Sequence, residues 1–292
     1  MRKNCEGYLK NLLLVGISYN RKTKKHECHI ENTRSESNMI LAVDIGNTNI
    51  VVGCIDKEKI CFVERLSTVS TRTELEYAIS FKNILELYSI ETDDLDGGII
   101  SSVVPPVTNT VRRSMEKILN REVIVIGPGV KTGLNILMDD PRQVGSDRIV
   151  NAVAVIHEYP VPAAIIDMGT ATTICIVDEK KNYIGGAIIP GARISADTLT
   201  DRTAQLPKIS IEPPAKLIGK NTVDCMKSGV FYGNAALLDG MLDRMEEEMG
   251  QKLTIIATGG LARALIPHCR HDMVLDDELL LKGLKVIYEK NQ

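Results

Sequence analysis

Residues 42–49 read AVDIGNTN. An apolar run, 39–43, breaks at Asp44 into Gly46, Asn47, Thr48 and Asn49, and a second apolar run follows over 50–55. The pattern returns 123 residues later in AAIIDMGTATTICIV, with Asp167, Gly169, Thr170 and Thr172. Each stretch reads as two strands joined by a short polar turn. One copy needs no more than turn chemistry, because Asn and Gly supply hairpin dihedrals. Two copies in one chain point to a shared ligand.

The residue types name the class of that ligand. Gly46 and Gly169 allow a turn to reach φ > 0 and approach a ligand closely. Successive N–H groups in such a turn form an anion-binding nest, and Asn47, Thr48, Asn49, Thr170 and Thr172 add side-chain donors. An Asp beside phosphate repels it unless the Asp holds a cation that neutralises the charge. The two hairpins are therefore expected to handle phosphates and their cations.

The totals remove other classes. With 292 residues, 44% hydrophobic and 25% charged, the composition is that of a globular protein with room for two domains. Aromatics make up 4% and Trp is absent, so stacking platforms for single-stranded nucleic acid are not expected. The net charge of -3 gives no field toward nucleic acid or an anionic membrane. No apolar run approaches the roughly 20 residues of a transmembrane helix. The seven Cys are odd in number and form no CxxC, which fits a reducing, cytoplasmic compartment. Residues 1–38 carry eight Lys/Arg against four Asp/Glu, and the segment is expected to be a disordered extension, or to precede a working start at Met39.

From Met39 an α/β grammar begins. Strands are expected over 40–44, 50–55 and 60–66. Thr73 with Glu76 forms a capping-box pattern for a helix over 74–89. Residues 93–98 read as a turn, 99–104 as a strand, 105–119 as a helix opened by Pro105-Pro106, and 122–126 as a strand. After a loop, 146–158 reads helical. The grammar then restarts with strands 163–167, 172–177 and 183–188, and helices 192–202 and 222–249. Strand 253–257, a short helix 261–267, strand 273–275 and helix 278–289 complete it. The body divides into halves at 39–157 and 158–292, each opening with the Asp-x-Gly hairpin, which places a cleft between two copies of one domain.

DIGNTN (44–49), DPRQVGSDR (140–148), DMGTATT (167–173), PGARIS (190–195), RTAQLP (202–207), GKNTVDCMKSG (219–229) and the strand end TIIATGG (254–260) together resemble the type III pantothenate kinases of bacteria, within the actin, sugar-kinase and heat-shock ATPase superfamily. The resemblance implies two duplicated ribonuclease-H-like (actin-like ATPase) domains with a nucleotide cleft between them. It implies phosphorylation of pantothenate by ATP to 4'-phosphopantothenate, the first step of coenzyme A biosynthesis. ATP would be held by Asp44, Ile45, Gly46, Asn47, Thr48, Asn49, Ile50 and Val51 together with Thr170, with Asp44 near the nucleotide's Mg²⁺. Gly145, Ser146, Asp147 and Arg148 would contact pantothenate, with Asp147 as general base. Asp167 would bind a monovalent cation, K⁺ or NH₄⁺. Thr222 would reach pantothenate near the subunit interface of a homodimer. The alternatives are a non-catalytic regulator of the same fold, or a kinase for another small hydroxy-acid or sugar. Two departures stand out. Met138 takes a place where the family often has Tyr, and Ser146 one where Ala is common.

Other motifs are read as structural. GPGVKTG (127–133) lacks dinucleotide-loop spacing, and GKNT (219–222) lacks the first Gly of a P-loop. HECH (26–29) and HCRH (268–271) have no second ligand pair at zinc spacing. Glu246, Glu247 and Glu248 are expected on a solvated helix face.

Overall fold

The structure is a computed structural model that describes residues 39–57 and 59–292. The expected extension over 1–38, with HECH, Cys5 and Cys28, lies outside the described residues.

The first half is built on a strand that faces two cores. In β1 (Met39–Ile45), Met39, Leu41, Val43 and Ile45 enter one apolar cluster while Ile40 and Ala42 enter another. The period of two in a strand produces this split, and burial on both faces gives the near-continuous apolar run. β2 (Asn49–Asp56) and β3 (Lys59–Ser67) follow antiparallel. α1 (Glu74–Leu87) opens on the expected capping box of Thr73 and Glu76. β4 (Leu95–Ser102) then pairs parallel with β1. α2 (Pro105–Leu119) starts on its Pro pair and returns the chain to β5 (Val123–Val125). The strand order is β3-β2-β1-β4-β5. One expectation fails here. Asp96, Gly97 and Gly98 were expected in a turn but lie inside β4, because the absence of side chains at Gly97 and Gly98 makes room for Tyr288 on one face and Met115 on the other.

The connection contains a short strand, β6 (Asn135–Ile136), before α3 (Ser146–Glu158). The second half repeats the plan with β7 (Ala163–Met168), β8 (Ala171–Val177) and β9 (Asn182–Pro190), then α4 (Ala192–Asp201), α5 (Thr222–Met249), β10 (Thr254–Thr258), the one-turn α6 (Ala262–Leu265), β11 (Val274–Leu275) and α7 (Leu279–Glu289). Its sheet order is β11-β10-β7-β8-β9-β6. Apart from the added edge strand β6, this is the order of the first sheet, with the same mixture of parallel and antiparallel pairs. Two copies of a ribonuclease-H-like sheet are thus legible in the topology itself.

α1 and α2 cover the outer face of the first sheet. α4, α5 and α6 cover the outer face of the second. α3 and α7 lie between the sheets, with Val150, Val153, Leu284 and Ile287 packed against the first sheet and Ala152, Val155 and Leu279 against the second. Each such buried Val, Leu or Ile side chain contributes about 1.5–3 kcal/mol. The two helices touch so closely at Gly283 that a Cβ there would stand 2.1 Å from the Val150 carbonyl oxygen.

Glu246 corrects another expectation. It is buried rather than solvated, because its carboxylate accepts from the Leu253 N–H at 3.1 Å and from Lys252 at the entry to β10. Among the described residues, no helix is long and apolar enough to cross a membrane.

Candidate active site

The alternation along β1 and β7 places two carboxylates on inner faces. Asp44 shares the parity of Ile40 and Ala42, and Asp167 that of Ala163 and Ile165, so both project toward the layer of α3. The parallel neighbours repeat the arrangement, since Asp44 pairs with Ser101 and Asp167 with Thr258. Asp147 arrives from a different direction, in the first turn of α3.

The charge of Asp147 reaches both Asp44 and Asp167. Burial pushes the Asp44 carboxyl up to about 7, Ser101 opposes this by hydrogen bonding, and the charges of Asp147 and Asp167 add to the rise. Asp167 is pushed up to about 6 by burial and by Asp147, with an opposing hydrogen bond from Asn151. Asp147 itself accepts the Arg148 N–H at 2.8 Å, so it also serves the bland role of satisfying a helix N-terminus. Gly145 is the N-cap, and a side chain there would collide with the Asp147 carboxylate.

Ser146 does more than a small replacement would. Its Oγ lies 3.0 Å from Ser101 Oγ, accepts the Ser102 N–H at 2.9 Å and donates to the Ser102 carbonyl at 2.9 Å. The start of α3 is thereby fastened to the end of β4. Arg148 donates to the Gln143 carbonyl at 3.2 Å and stands beside Tyr183 and Cys175. Met138 packs in the same cluster, next to Gly185.

The hairpins meet above the acids. Thr48 Oγ1 and Thr170 Oγ1 are 3.1 Å apart. Asn47, Thr48, Asn49 and Thr170 are exposed. Three expectations are corrected. Gly46 and Gly169 do not adopt positive φ; the value of +96° falls at Gly259, which closes against Asp167. The glycine N–H groups are not free nest donors, because Gly46 donates to Asn49 O at 3.0 Å and Gly169 to Ala171 O at 3.1 Å, closing the turns. Thr172 is buried and contributes no exposed donor. Ile45 and Ile50, partners across the hairpin, have side chains in the core, so only their backbone faces the site; Val51 is half-buried. Thr222 is exposed at the first position of α5, and no contact among the described residues joins it to the acids.

Hard-cation chemistry suits this site. Among the described residues, Asp44 Oδ1, Asp96 Oδ2 and Asn151 Oδ1 are buried with no hydrogen-bond partner. Two of the three belong to the acid cluster, so unshared oxygens gather there, of the kind that oxygen-seeking cations such as Mg²⁺ or K⁺ take as ligands. Asn151 was not singled out from the sequence, although it follows Asp147 by four residues and so shares its helix face. Ser101 and Thr68 were also missed. Thr68 buttresses the first hairpin through Gly46 O at 2.7 Å and Thr48 O at 3.0 Å.

A family model described as Type III pantothenate kinase matches residues 40–244. A curated Type III pantothenate kinase from an Exiguobacterium species is 47% identical over 254 residues, which are 87% of this chain and 100% of the relative. Among solved structures, the (R)-2-hydroxyglutaryl-CoA dehydratase component A of Acidaminococcus fermentans aligns at TM-score 0.51 and 14% identity, covering 86% of this chain and 97% of that one. A ROK family glucokinase from Streptomyces griseus, solved with glucose and AMPPNP, aligns at 0.50 and 14%, covering 87% and 99%. These two likenesses establish the actin-like fold alone. The family match and the close relative together show that this chain belongs to the type III pantothenate kinase family.

Proposed function

We propose that the chain transfers the γ-phosphoryl group of ATP to the primary hydroxyl of pantothenate, giving 4'-phosphopantothenate and ADP. The observation that carries this is the convergence of Asp44, Asp147 and Asp167 beneath two touching hydroxyl-bearing turns. A regulator of the same fold has no use for three half-buried acids gathered at one point.

Phosphoryl transfer passes through a loose transition state, so positioning and charge neutralisation supply most of the catalysis. Thr48, Thr170, Asn47 and Asn49 donate to phosphate oxygens from the two halves. Asp147 accepts the hydroxyl proton at its carboxylate as the new P–O bond forms. Arg148 offers a planar fork to the pantothenate carboxylate. Asp44 would hold Mg²⁺, and Asp167 a monovalent cation, K⁺ or NH₄⁺. A bound Mg²⁺ neutralises phosphate charge. Gly145 and Ser146 keep the start of α3 against β4, which fixes Asp147 relative to Asp44. Thr222 would complete the pantothenate site near the interface of a homodimer, in the cytoplasm.

A substrate panel tests the reading. Pantothenate should support ADP formation at a kcat/KM far above that of other small hydroxy-acids and sugars. Equal or greater turnover of another acceptor would assign the site to that acceptor.

A further inference from the structure

Asn151 is almost fully buried, at 2% exposure, on a helix whose neighbouring positions are Val150, Ala152, Val153, Ala154 and Val155. An amide in such a setting is kept by its partners. Asn151 has only half of them. Its Nδ2 donates to Asp167 Oδ2 at 3.4 Å, while Oδ1, on the same amide carbon, has no partner. The groups beside it do not complement that oxygen. Asp167 and Asp147 are acceptors when ionised, and a carboxylate cannot donate to an amide oxygen. Asp44 adds a second sealed oxygen without a partner to the same cluster.

A neutral amide oxygen among carboxylates is a familiar ingredient of oxygen-ligand cation sites, where amide carbonyls fill coordination places without adding charge. The long hydrogen bond to Asp167 fixes the orientation of both side chains, as groups supporting a metal ligand commonly do. We propose that Asn151 is a positioning residue and oxygen ligand for the cation served by Asp167, with Nδ2 orienting that carboxylate and Oδ1 turned to the ion. This rests on the reading of Asp167 as a cation ligand. It extends the site from a hairpin residue to the first two turns of α3, where Asp147 and Asn151 stand on one face. Binding of the ion then sets the position of the proton acceptor one turn earlier.

The test uses the full chain without substrates. Melting temperature is followed during KCl and MgCl₂ titrations, each against choline chloride at fixed ionic strength. For wild type, at least one of the two salts should raise the melting temperature saturably. In Asn151→Leu, which matches the size of the amide but offers no oxygen, the concentration for half the effect should rise roughly ten- to hundredfold. Asn151→Ala covers the case in which the Leu variant does not fold, and should show the same loss. Asn151→Asp should need no more salt than wild type. An unchanged half-point in the Leu or Ala variant overturns the inference. So does a wild-type melting temperature that ignores both salts. Neither result bears on whether pantothenate is the acceptor, which turnover assays decide independently.

Discussion

Thr48 and Thr170 stand 122 residues apart in the chain and 3.1 Å apart in space, oxygen to oxygen. Each sits at the tip of a hairpin whose first strand carries an inward Asp. The contact joins the two halves at the point where phosphates would enter. Both hydroxyls are exposed, so the bond itself adds little to stability. Replacing either Thr with Val should leave the melting temperature nearly unchanged. It should raise KM for ATP about fivefold, the equivalent of one hydrogen bond of about 1 kcal/mol. Steady-state kinetics of the two single variants and the double variant check this, and additive effects would separate the two donors.

Asp147→Asn should lower kcat by about 10²–10⁴, the range of general base catalysis. The fold should survive, because the change removes a negative charge that acts on both Asp44 and Asp167. Thermal unfolding of this variant should therefore be equal to or above wild type. A variant that melts well below wild type would make Asp147 a structural cap first and a base second.

The raised carboxyls give a pH signature in cation-free protein. Asp44 moves from 3.8 to about 7 and Asp167 from 3.8 to about 6 on folding. The folded state thus keeps protons that the unfolded chain releases above pH 3.8, and stability falls as pH rises from about 4 to about 7. Asp44→Asn should flatten this limb while abolishing turnover. Urea unfolding in chelator across that window reads it, and a stability rising with pH would contradict the raised carboxyls of Asp44 and Asp167.

Gly283 offers a test of the layer between the sheets. Gly283→Val would push a side chain into the Val150 carbonyl and force α3 and α7 apart. The expected loss is at least about 1–3 kcal/mol by urea unfolding. Because Asp147 rides on α3, kcat should fall as well.

Much of this was legible in the sequence, and the parts that were not share a cause. The strands of MILAVDI and AAIIDM, the capping box at Thr73 and the bounds of α3 and α5 follow from local rules and are legible as such. Gly97 and Gly98 misled because Asp-Gly-Gly reads locally as a turn, while packing from α2 and α7 needs backbone without side chains. Glu246 misled because its partners lie beyond the end of its helix, at Lys252 and Leu253. Ser101 escaped because nothing in its own neighbourhood marks it, and Asn151 because its place four residues after Asp147 is by itself a weak signal. Their meaning comes from Asp167 and Asp44, which other strands deliver. The glycines of the two turns carry no positive φ; a side chain at Gly46 would crowd the Asn49 carbonyl, whereas one at Gly169 would meet only ordinary contacts.

The most direct test of the central claim is product analysis. Purified chain, ATP, MgCl₂, KCl and pantothenate should yield 4'-phosphopantothenate by mass spectrometry, with one ADP formed per product molecule and none of this product with Asp147→Asn above a trace. Wild-type protein that is folded and forms no phosphorylated pantothenate under these conditions would contradict the account.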